Sequence, residues 1–462
     1  MIAPLDTDTI VAVSTPHGMG GIAVVRVSGP EAISIVSRRW QGKAISSMAS
    51  HTAHLGTMLD SKGQTLDQVV LTLFRGPNSY TGDDVIELSC HGSVWIQQQL
   101  VLTLIDAGCR AATGGEFTQR AFAAGKIDLS QAEAIADLIS SQSAASHRVA
   151  INQMRGAFSR QLASLRDKLL QFVSLIELEL DFSEEDVTFA DRSKLITLAR
   201  EIQSVIAHLT DSWQAGNAIK SGLPVAIVGA TNAGKSTLLN DLLHDDRALV
   251  SDIKGTTRDV IEDTIVMGGT LFRFIDTAGI RQAHDQIEAM GIERTYKKLD
   301  EASLVLWVLD STASPDEIKA FYSKIEPHCQ GKKLIAVANK VDLADSEQQA
   351  RLRRVLPSET VFISAKHGQG LDELQQRVIS AAALPQVNDD DTVIVTNARH
   401  YEALTRAGQA ITRAIQGLES GLSGDLVSQD IRECMHYLGT ITGQITTDEV
   451  LGEIFSHFCI GK

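Results

Sequence analysis

The chain has 462 residues, enough for about three domains, and its 44% hydrophobic and 21% charged residues are ordinary for globular proteins. Its formal charge of -15 disfavours strong non-specific adhesion to nucleic acid or to an anionic membrane. Five scattered cysteines without a C-x-x-C pair, no signal-like start and no long apolar run argue against a disulfide framework, secretion and membrane spanning, so we expect a cytoplasmic protein.

Residues 1–120 predict a separate α/β domain. Short runs typical of strands begin at Ile10, Ile22 and Val69 and alternate with loops and helical segments. The glycine-rich segment that follows the first run lacks the G-x-G-x-x-G spacing, so a plain turn is favoured over a nucleotide-binding turn. Glu87 lies inside an apolar run, where an unpaired carboxylate would be costly, and we therefore expect it to have a partner.

Two long segments without proline predict helices, because helix interiors exclude proline. Apolar residues recur there at spacings of three and four. In the first segment they are Leu162, Leu165, Leu169, Phe172, Ile176 and Leu180, and in the second Tyr401, Leu404, Ala407, Ile411, Ala414 and Ile415. We interpret residues 121–216 and 384–462 as one helical domain interrupted by an inserted domain at 217–383. Two independent helical tails are the alternative.

The inserted domain begins with a phosphate-binding motif. Residues 229–236 read Gly-Ala-Thr-Asn-Ala-Gly-Lys-Ser after an apolar run and satisfy G-x-x-x-x-G-K-[ST]. In such a loop backbone N–H groups converge on phosphate oxygens, Lys235 neutralises the outer phosphates, and the Ser236 hydroxyl can ligate magnesium. The expected contacts are Asn232, Ala233, Gly234, Lys235, Ser236 and Thr237. A glycine-rich turn without nucleotide is the alternative.

Three later motifs, each behind a short apolar run, identify the nucleotide as GTP. Asp342 can accept two hydrogen bonds from guanine, whereas adenine lacks this pair of donors. The acid at the start of the second motif suits the magnesium shell. The motif residues are Asn339, Lys340 and Asp342, then Asp276, Thr277, Ala278 and Gly279, and then Ser364, Ala365 and Lys366. Together with the phosphate loop, they predict a GTPase.

The apolar runs of this domain predict a doubly wound sheet. Five of them are separated by segments long enough for crossover helices, which argues for mainly parallel strands. The exception is the run at Thr264–Met267, which a Gly-Gly-Thr turn joins to the next run and which reads as a hairpin. The predicted fold class is thus an α/β domain, a helical domain and an inserted Ras-like P-loop GTPase domain.

Motifs outside the GTPase domain resemble one family along essentially the whole chain. They are Asp8-Thr9-Ile10 with Gly20-Gly21-Ile22, the Tyr-Thr-Gly-Asp-Asp segment at 80–84 with Glu87 and His91-Gly92, Gly115-Glu116-Phe117-Thr118, Lys126-Ile127-Asp128-Leu129, and the terminal Cys459-Ile460-Gly461-Lys462. The chain resembles the MnmE (TrmE) family of tRNA-modification GTPases in this combination.

The resemblance implies an amino-terminal domain that dimerises and binds a tetrahydrofolate derivative, in its methylene or formyl form. The implied folate contacts are Arg26, Glu87, Lys126 and Lys462. The resemblance also implies a homodimer that works with a flavin-dependent, FAD-carrying MnmG/GidA-like partner in a hetero-oligomer. The pair would add a carboxymethylaminomethyl or aminomethyl group at carbon five of the wobble uridine of certain tRNAs.

Cys459 has two interpretations that the sequence leaves open. It is either a catalytic thiol brought to the folate and the uridine, or a small apolar residue that packs with Phe455 and Phe458. Its reactivity depends on a thiolate environment that sequence does not show.

The route of GTP hydrolysis departs from the Ras pattern. Ile280 stands where Ras-type switches carry the glutamine that orients water, and Arg258 and Arg281 are only candidates for an arginine finger. The resemblance implies a potassium ion, bound by Asn232, Ser251, Ile253 and Thr256 when two GTPase domains meet. It also implies magnesium at Ser236 and Thr257, and water positioned by Glu288. The expected GTP contacts between the first and second motifs are Ser251, Asp252, Ile253, Lys254, Gly255, Thr256 and Thr257.

Alternatives remain for this mechanism and for the function. Glu288 is otherwise a solvated acid at a helix start, and Thr231 stands where the family commonly has proline, which puts the potassium affinity in doubt. The catalytic set predicted here is Glu288, Asn232, Lys235 and Cys459. A pure binding switch that assembles on RNA particles is the competing function, but such a switch needs neither a folate site nor a terminal thiol.

Overall fold

The computed structural model of the chain describes residues 8–181, 192–245, 263–275, 299–382, 393–456, 458, 460 and 461. The chain forms two compact units. The first comprises residues 1–136, 153–206 and 403–462, and the second comprises residues 137–152 and 207–402. Each unit contains a sheet with its own hydrophobic core.

The described helices share a right-handed α conformation and range from 6 to 25 residues in length. In chain order they are α1 (Ala32–Ser37), α2 (Val94–Asp106), α3 (Glu116–Ala123), α4 (Leu129–Ser140), α5 (Ala144–Met154), α6 (Ala157–Asp181), α7 (Arg192–Asp211), α8 (Trp213–Ser221), α9 (Lys235–Asp245), α10 (Pro315–Ile325), α11 (Ser346–Val355), α12 (Leu371–Ala382), α13 (Ala398–Glu419), α14 (Gly424–Thr442) and α15 (Asp448–Ser456).

A mixed sheet forms the centre of the amino-terminal part of the first unit. Its strands are β1 (Ile10–Val13), β2 (Ile22–Ser28), β3 (Trp40–Gln41), β4 (Thr52–Leu59), β5 (Thr65–Phe74), β6 (Val85–His91) and β7 (Arg110–Ala111). They lie in the order β3-β4-β5-β6-β2-β1-β7, and all neighbours are antiparallel except β1 and β7. This sheet confirms the strands predicted at Ile10, Ile22 and Val69.

The alternation of side chains across this sheet decides which residues face the core. On β2, Val25 and Val27 are buried and join the core that α1 and α2 complete with Ile35 and Leu100. Arg26 lies between the two valines in sequence, so its side chain belongs to the opposite face of the sheet.

A cluster of four charges fixes the start of β1 to α3. Arg110 pairs with Asp8 (Nε to Oδ2, 2.5 Å) and with Glu116 (Nη2 to Oε1, 2.6 Å), and Arg120 contacts both acids as well. The hydrogen bond from Arg110 lowers the pKa of Asp8. Burial by itself would raise the pKa of Glu116. Hydrogen bonds from Arg110, Thr113 and Arg120 have the larger, opposite effect, so the pKa of Glu116 lies below its usual value. Both acids are therefore charged at neutral pH.

The predicted helical stripes form the buried faces of long helices. Five of the six residues of the first stripe are buried on α6, and Leu404, Ala407, Ile411, Ala414 and Ile415 are buried on α13. Tyr401 is 36% exposed and stacks on Trp213 with ring centroids 5.3 Å apart. The side chain of Leu180 lies outside the described residues.

Helices from the two separate segments of the predicted helical domain pack together in the first unit. α6 packs against α14, and Gln203 of α7 donates a hydrogen bond to Thr412 of α13 (Nε2 to Oγ1, 2.8 Å). An ion pair joins Arg200 to Glu419 (2.6 Å) next to this bond. Residues more than two hundred positions apart in the sequence are therefore neighbours here.

The second unit contains the sheet of the phosphate-loop motif. Its strands are β8 (Leu223–Val228), β9 (Asp263–Met267), β10 (Thr270–Phe274), β11 (Leu304–Asp310), β12 (Lys333–Asn339) and β13 (Val361–Phe362). Their order is β13-β12-β11-β8-β10-β9, and all neighbours are parallel except β9 and β10. The predicted parallel sheet and its antiparallel hairpin are both confirmed.

The sheet's central strands are apolar because helices cover both faces. β11 is buried along Leu304–Leu309, and Gly268 and Gly269 make the hairpin turn with φ of 58° and 77°. None of the described helices is both long and apolar enough to cross a membrane.

Candidate functional sites

The phosphate loop lies between the central strand β8 and the start of α9. β8 pairs with β10 and β11, and the loop follows its carboxyl end. A Cβ at Gly229 would overlap the Val308 carbonyl oxygen, so the loop passes against β11 where only glycine fits. In this arrangement the first backbone N–H groups of α9 point towards the loop, where they can donate hydrogen bonds to an anion.

Lys235 and Asn232 occupy the positions that the phosphate-loop chemistry needs. The Lys235 ammonium donates to the carbonyl oxygens of Gly229 (2.9 Å) and Ala230 (2.8 Å), which hold its charge over the loop. Asn232 is exposed and has φ 62°, a left-handed conformation that asparagine tolerates better than most residues. Ser236 is the second residue of α9. These residues would hold a triphosphate and its magnesium ion.

A single buried amide joins three of the predicted motifs. Asn339, 2% exposed, donates from Nδ2 to the Ala233 carbonyl (2.9 Å) and accepts at Oδ1 from the Ala365 N–H (3.0 Å). Its ends therefore fix the phosphate loop and the 364–366 loop to the end of β12. Motifs that are 106 residues apart in sequence meet in one site.

The Asp342 carboxylate, which is predicted to read guanine, is fixed by a hydrogen bond and carries a negative charge. Ser364 Oγ donates to Asp342 Oδ1 (2.5 Å). This bond is the main reason why the pKa of Asp342 lies below its usual value, so Asp342 is an acceptor at neutral pH. Lys366, the last residue of the predicted set, is exposed and follows on the same loop.

Sequence reasoning missed Asp310, which orients the lysine of the guanine motif. Lys340 has φ 65°, and its Nζ donates to Asp310 Oδ2 (2.7 Å). Burial raises the pKa of Asp310, but hydrogen bonds from Lys340 and Thr312 outweigh it and the net pKa is lowered. The signal in the sequence was an acid at the end of an apolar run, the same feature that marked Asp276.

Several predicted site residues lie outside the described part of the chain. They are Ser251, Asp252, Ile253, Lys254, Gly255, Thr256, Thr257, Asp276, Thr277, Ala278, Gly279, Glu288, Cys459 and Lys462, together with Arg258 and Arg281. Their roles stay predictions.

The predicted folate residues Arg26 and Glu87 form an ion pair in the first unit. They face each other across β2 and β6, and Arg26 Nε (3.0 Å) and Nη2 (2.8 Å) both donate to Glu87 Oε1. The pair is partly exposed, 21% for Arg26 and 26% for Glu87. The partner expected for Glu87 is therefore Arg26, and both Arg26 bonds go to Oε1 rather than to Oε2.

Aromatic rings that sequence reasoning did not assign flank this pair. The Arg26 guanidinium lies 5.6 Å from the ring centroids of both Tyr80 and Phe117. Tyr80 is bonded to Thr118 (Oη to Oγ1, 2.9 Å), and burial raises its pKa, so its hydroxyl is neutral at physiological pH. Both rings belong to motifs quoted for the family resemblance, which was the signal available.

Lys126, another of the predicted folate residues, lies at the loop that carries Tyr80. Lys126 is exposed and donates to the carbonyl of Pro77, at the start of that loop. Gly461, which precedes the predicted Lys462, is buried, and its carbonyl accepts from Ser14 Oγ (2.9 Å) and Arg26 Nη1 (3.4 Å). The structure thus brings Arg26, Glu87 and Gly461 together.

The described cysteines are buried or partly buried and poorly reactive. Burial raises the pKa of Cys90 to about 11 and the pKa values of Cys109 and Cys434 to about 12. Burial also raises the pKa of Cys329. At neutral pH these thiols carry almost no thiolate, which is the nucleophilic form.

Comparisons with known proteins match both units. The model of the GTP-binding protein TrmE N-terminus matches residues 9–126, and the model of the MnmE helical domain matches residues 129–459. A tRNA modification GTPase MnmE of Bacteroides thetaiotaomicron is 56% identical over 468 residues, covering 99% of this chain and 100% of the relative. Relatives of the same name from Parabacteroides distasonis (53% over 462 residues; 98% and 100%) and Flavobacterium johnsoniae (50% over 467 residues; 99% and 100%) are similar along their whole lengths.

Proposed function

This chain belongs to the MnmE family of tRNA modification GTPases, and we propose that it couples GTP hydrolysis to modification of the wobble uridine of tRNA at carbon five. The observation that carries the GTP half is the Asn339 amide, which holds the phosphate loop and the guanine-reading loops in one site. The charged Asp342 supplies the acceptor that distinguishes guanine from adenine.

The modification half rests on the Arg26–Glu87 pair. A pterin presents an exocyclic amine and a ring N–H, and Glu87 Oε2 is a suitable acceptor for such donors. Tyr80, which is partly exposed, provides aromatic surface for a ligand ring next to the pair. A tetrahydrofolate in methylene or formyl form would supply the one-carbon unit, with Arg26, Glu87, Lys126 and Lys462 as its contacts.

The assembly proposed with this function follows the family. The chain acts as a cytoplasmic homodimer and joins an FAD-carrying, MnmG/GidA-like partner in a hetero-oligomer that acts on tRNA. Residues 1–120 serve dimerisation and folate binding, 217–383 form the GTPase domain, and 121–216 with 384–462 form the helical domain. The product is a carboxymethylaminomethyl or aminomethyl group on the base.

Two cations complete the proposed GTPase site. Magnesium, held by Ser236 and Thr257, would neutralise phosphate charge, and potassium, held by Asn232, Ser251, Ile253 and Thr256, would supply positive charge where Ras-type proteins use an arginine. The fit of Asn232 is supported by its exposed, left-handed position in the loop. Glu288 would position the attacking water, and Cys459 is the proposed thiol of the folate site.

We predict that GTP hydrolysis falls at least about tenfold when potassium chloride is replaced by sodium chloride, because losing about 1.4 kcal/mol of transition-state stabilisation has that effect. Phosphate release at equal ionic strength measures it. Asn232→Ala should remove the difference between the salts. Asn240→Ala is the matched control, since Asn240 is exposed on α9. Equal rates of the wild-type protein in both salts would remove this mechanism.

The function as a whole is tested by mass spectrometry of wobble nucleosides from cells that lack this chain. We expect the modified uridine to disappear, and unmodified uridine to replace it, because no other step attaches the one-carbon unit in this proposal. Re-expression of the wild-type chain is the control and should restore the modification. A normal level of modified uridine in the deletion would favour the binding switch instead.

A further inference from the structure

The described residues near the end of the chain, Phe458, Ile460 and Gly461, make contacts within the first unit that sequence motifs do not explain. We call the position that Ile460 and Gly461 occupy the seat. Ile460 forms an antiparallel bridge with Gly114, and Phe458 packs in an apolar cluster with Phe122 and Phe455. Gly461 is buried and has φ 96°. A Cβ at Gly461 would overlap the Val13 carbonyl oxygen, so this seat accepts only glycine.

Ser14 makes the shorter of the two hydrogen bonds that reach the seat. Its Oγ donates to the Gly461 carbonyl at 2.9 Å, whereas the bond from Arg26 Nη1 is 3.4 Å long. Arg26 also gives two of its donors to Glu87. The Ser14 backbone is itself fixed, because its N–H donates to the Val24 carbonyl at 2.8 Å and extends the pairing of β1 with β2.

We propose that Ser14 is a positioning residue of the folate site: it holds the Gly461 carbonyl beside Arg26 and thereby helps to fix the Arg26 guanidinium at Glu87. The proposal rests on the folate binding proposed above. Ser14 acts through the chain end and does not itself contact the ligand.

The first part of the test is hydrogen exchange of the carboxyl-terminal peptide. Ser14→Ala should speed its exchange about fivefold, the value expected for one lost hydrogen bond of ordinary strength. Ser14→Thr keeps the hydroxyl and should restore slow exchange. Ser34→Ala is the matched control, because Ser34 is exposed and its hydroxyl donates to the Glu31 carbonyl within its own turn.

Gly461→Ala removes the seat by overlap and should speed exchange more than Ser14→Ala does. Its control is Gly452→Ala, since Gly452 is exposed on α15 and a Cβ there meets nothing within 4 Å. Circular dichroism and the GTPase rate should stay at wild-type values for Ser14→Ala, because Ser14 is not part of the GTP site.

The second part is calorimetry with 5-formyl-tetrahydrofolate. Ser14→Ala should weaken binding about threefold to tenfold, Gly461→Ala should weaken it further, and Ser14→Thr should bind like the wild type. Wild-type affinity in Ser14→Ala, with faster exchange of the peptide, would overturn the positioning role. Unchanged exchange in both variants would overturn the seat itself. A wild-type protein that gives no heat with the folate would instead overturn the proposed folate function.

Discussion

Asp342→Asn is expected to change the base preference from guanine to xanthine and to lower the affinity for GTP by about a hundredfold or more. Guanine presents two donors to this position, and each hydrogen bond to a charged acceptor contributes about 1.5–3 kcal/mol. Asparagine offers one acceptor and a donating NH2 group, so one guanine donor meets another donor. Xanthine has a carbonyl in place of the exocyclic amine and can accept from that NH2 group.

The change should be read from calorimetric affinities for GTP and for xanthosine triphosphate. Asp345→Asn is a matched control, because Asp345 is exposed and caps α11, a role that asparagine fills equally well. It should keep the wild-type preference for GTP. If Asp342→Asn binds GTP within twofold of the wild type, Asp342 does not read the base, and the assignment of guanine loses its main residue.

Gly234→Ala is expected to weaken GTP binding by about a hundredfold or more, through the Asn339 amide. Gly234 has φ 93°, and a Cβ there would overlap Asn339 Nδ2. That nitrogen donates to Ala233, and the other end of the amide accepts from Ala365. Displacing Asn339 therefore moves the phosphate loop and the base-reading loop together, so both halves of the nucleotide lose their contacts.

A substitution at a second glycine distinguishes the effect of the steric overlap from the effect of backbone strain. Gly331 has φ 75°, but a Cβ there meets nothing within 4 Å. Gly331→Ala should lower the melting temperature, since an L residue at positive φ costs about 1–2 kcal/mol, and should leave GTP affinity unchanged. Fluorescent-nucleotide titration and circular dichroism measure both effects. Equal GTP affinity in the two variants would show that the Asn339 link has no role in binding.

The proposed nucleotide site shows which features of a site the sequence can predict and which it cannot. Its motifs were recognisable because each follows an apolar strand, and the carboxyl ends of parallel strands meet at one edge of a sheet. The motifs did not reveal that Asn339 joins them or that Asp310 orients Lys340, because these bonds depend on which strands are neighbours. The pairing of β11 with β12 places the last residues of both strands side by side.

In the proposed folate site, too, the sequence predicted one feature and the tertiary structure decided another. The apolar run around Glu87 required a partner for its carboxylate, since burying an unpaired charge is costly. The identity of that partner, 61 residues away, follows from the antiparallel register of β2 and β6. A shift of that register by one residue would have turned the Glu87 side chain to the other face of the sheet, away from Arg26.

By itself the sequence determined the local features of this protein: the helical stripes, the hairpin turn, the phosphate loop and the position of the carboxylate proposed to read guanine. Such features depend on periodicity and on spacing over a few residues, which the chain fixes covalently. Only the tertiary structure decided that Ser14 meets Gly461, 447 positions away, and that Tyr80 and Phe117 flank Arg26. Contacts of this range depend on strand order and on the path of the whole chain, and neither is encoded within a short window.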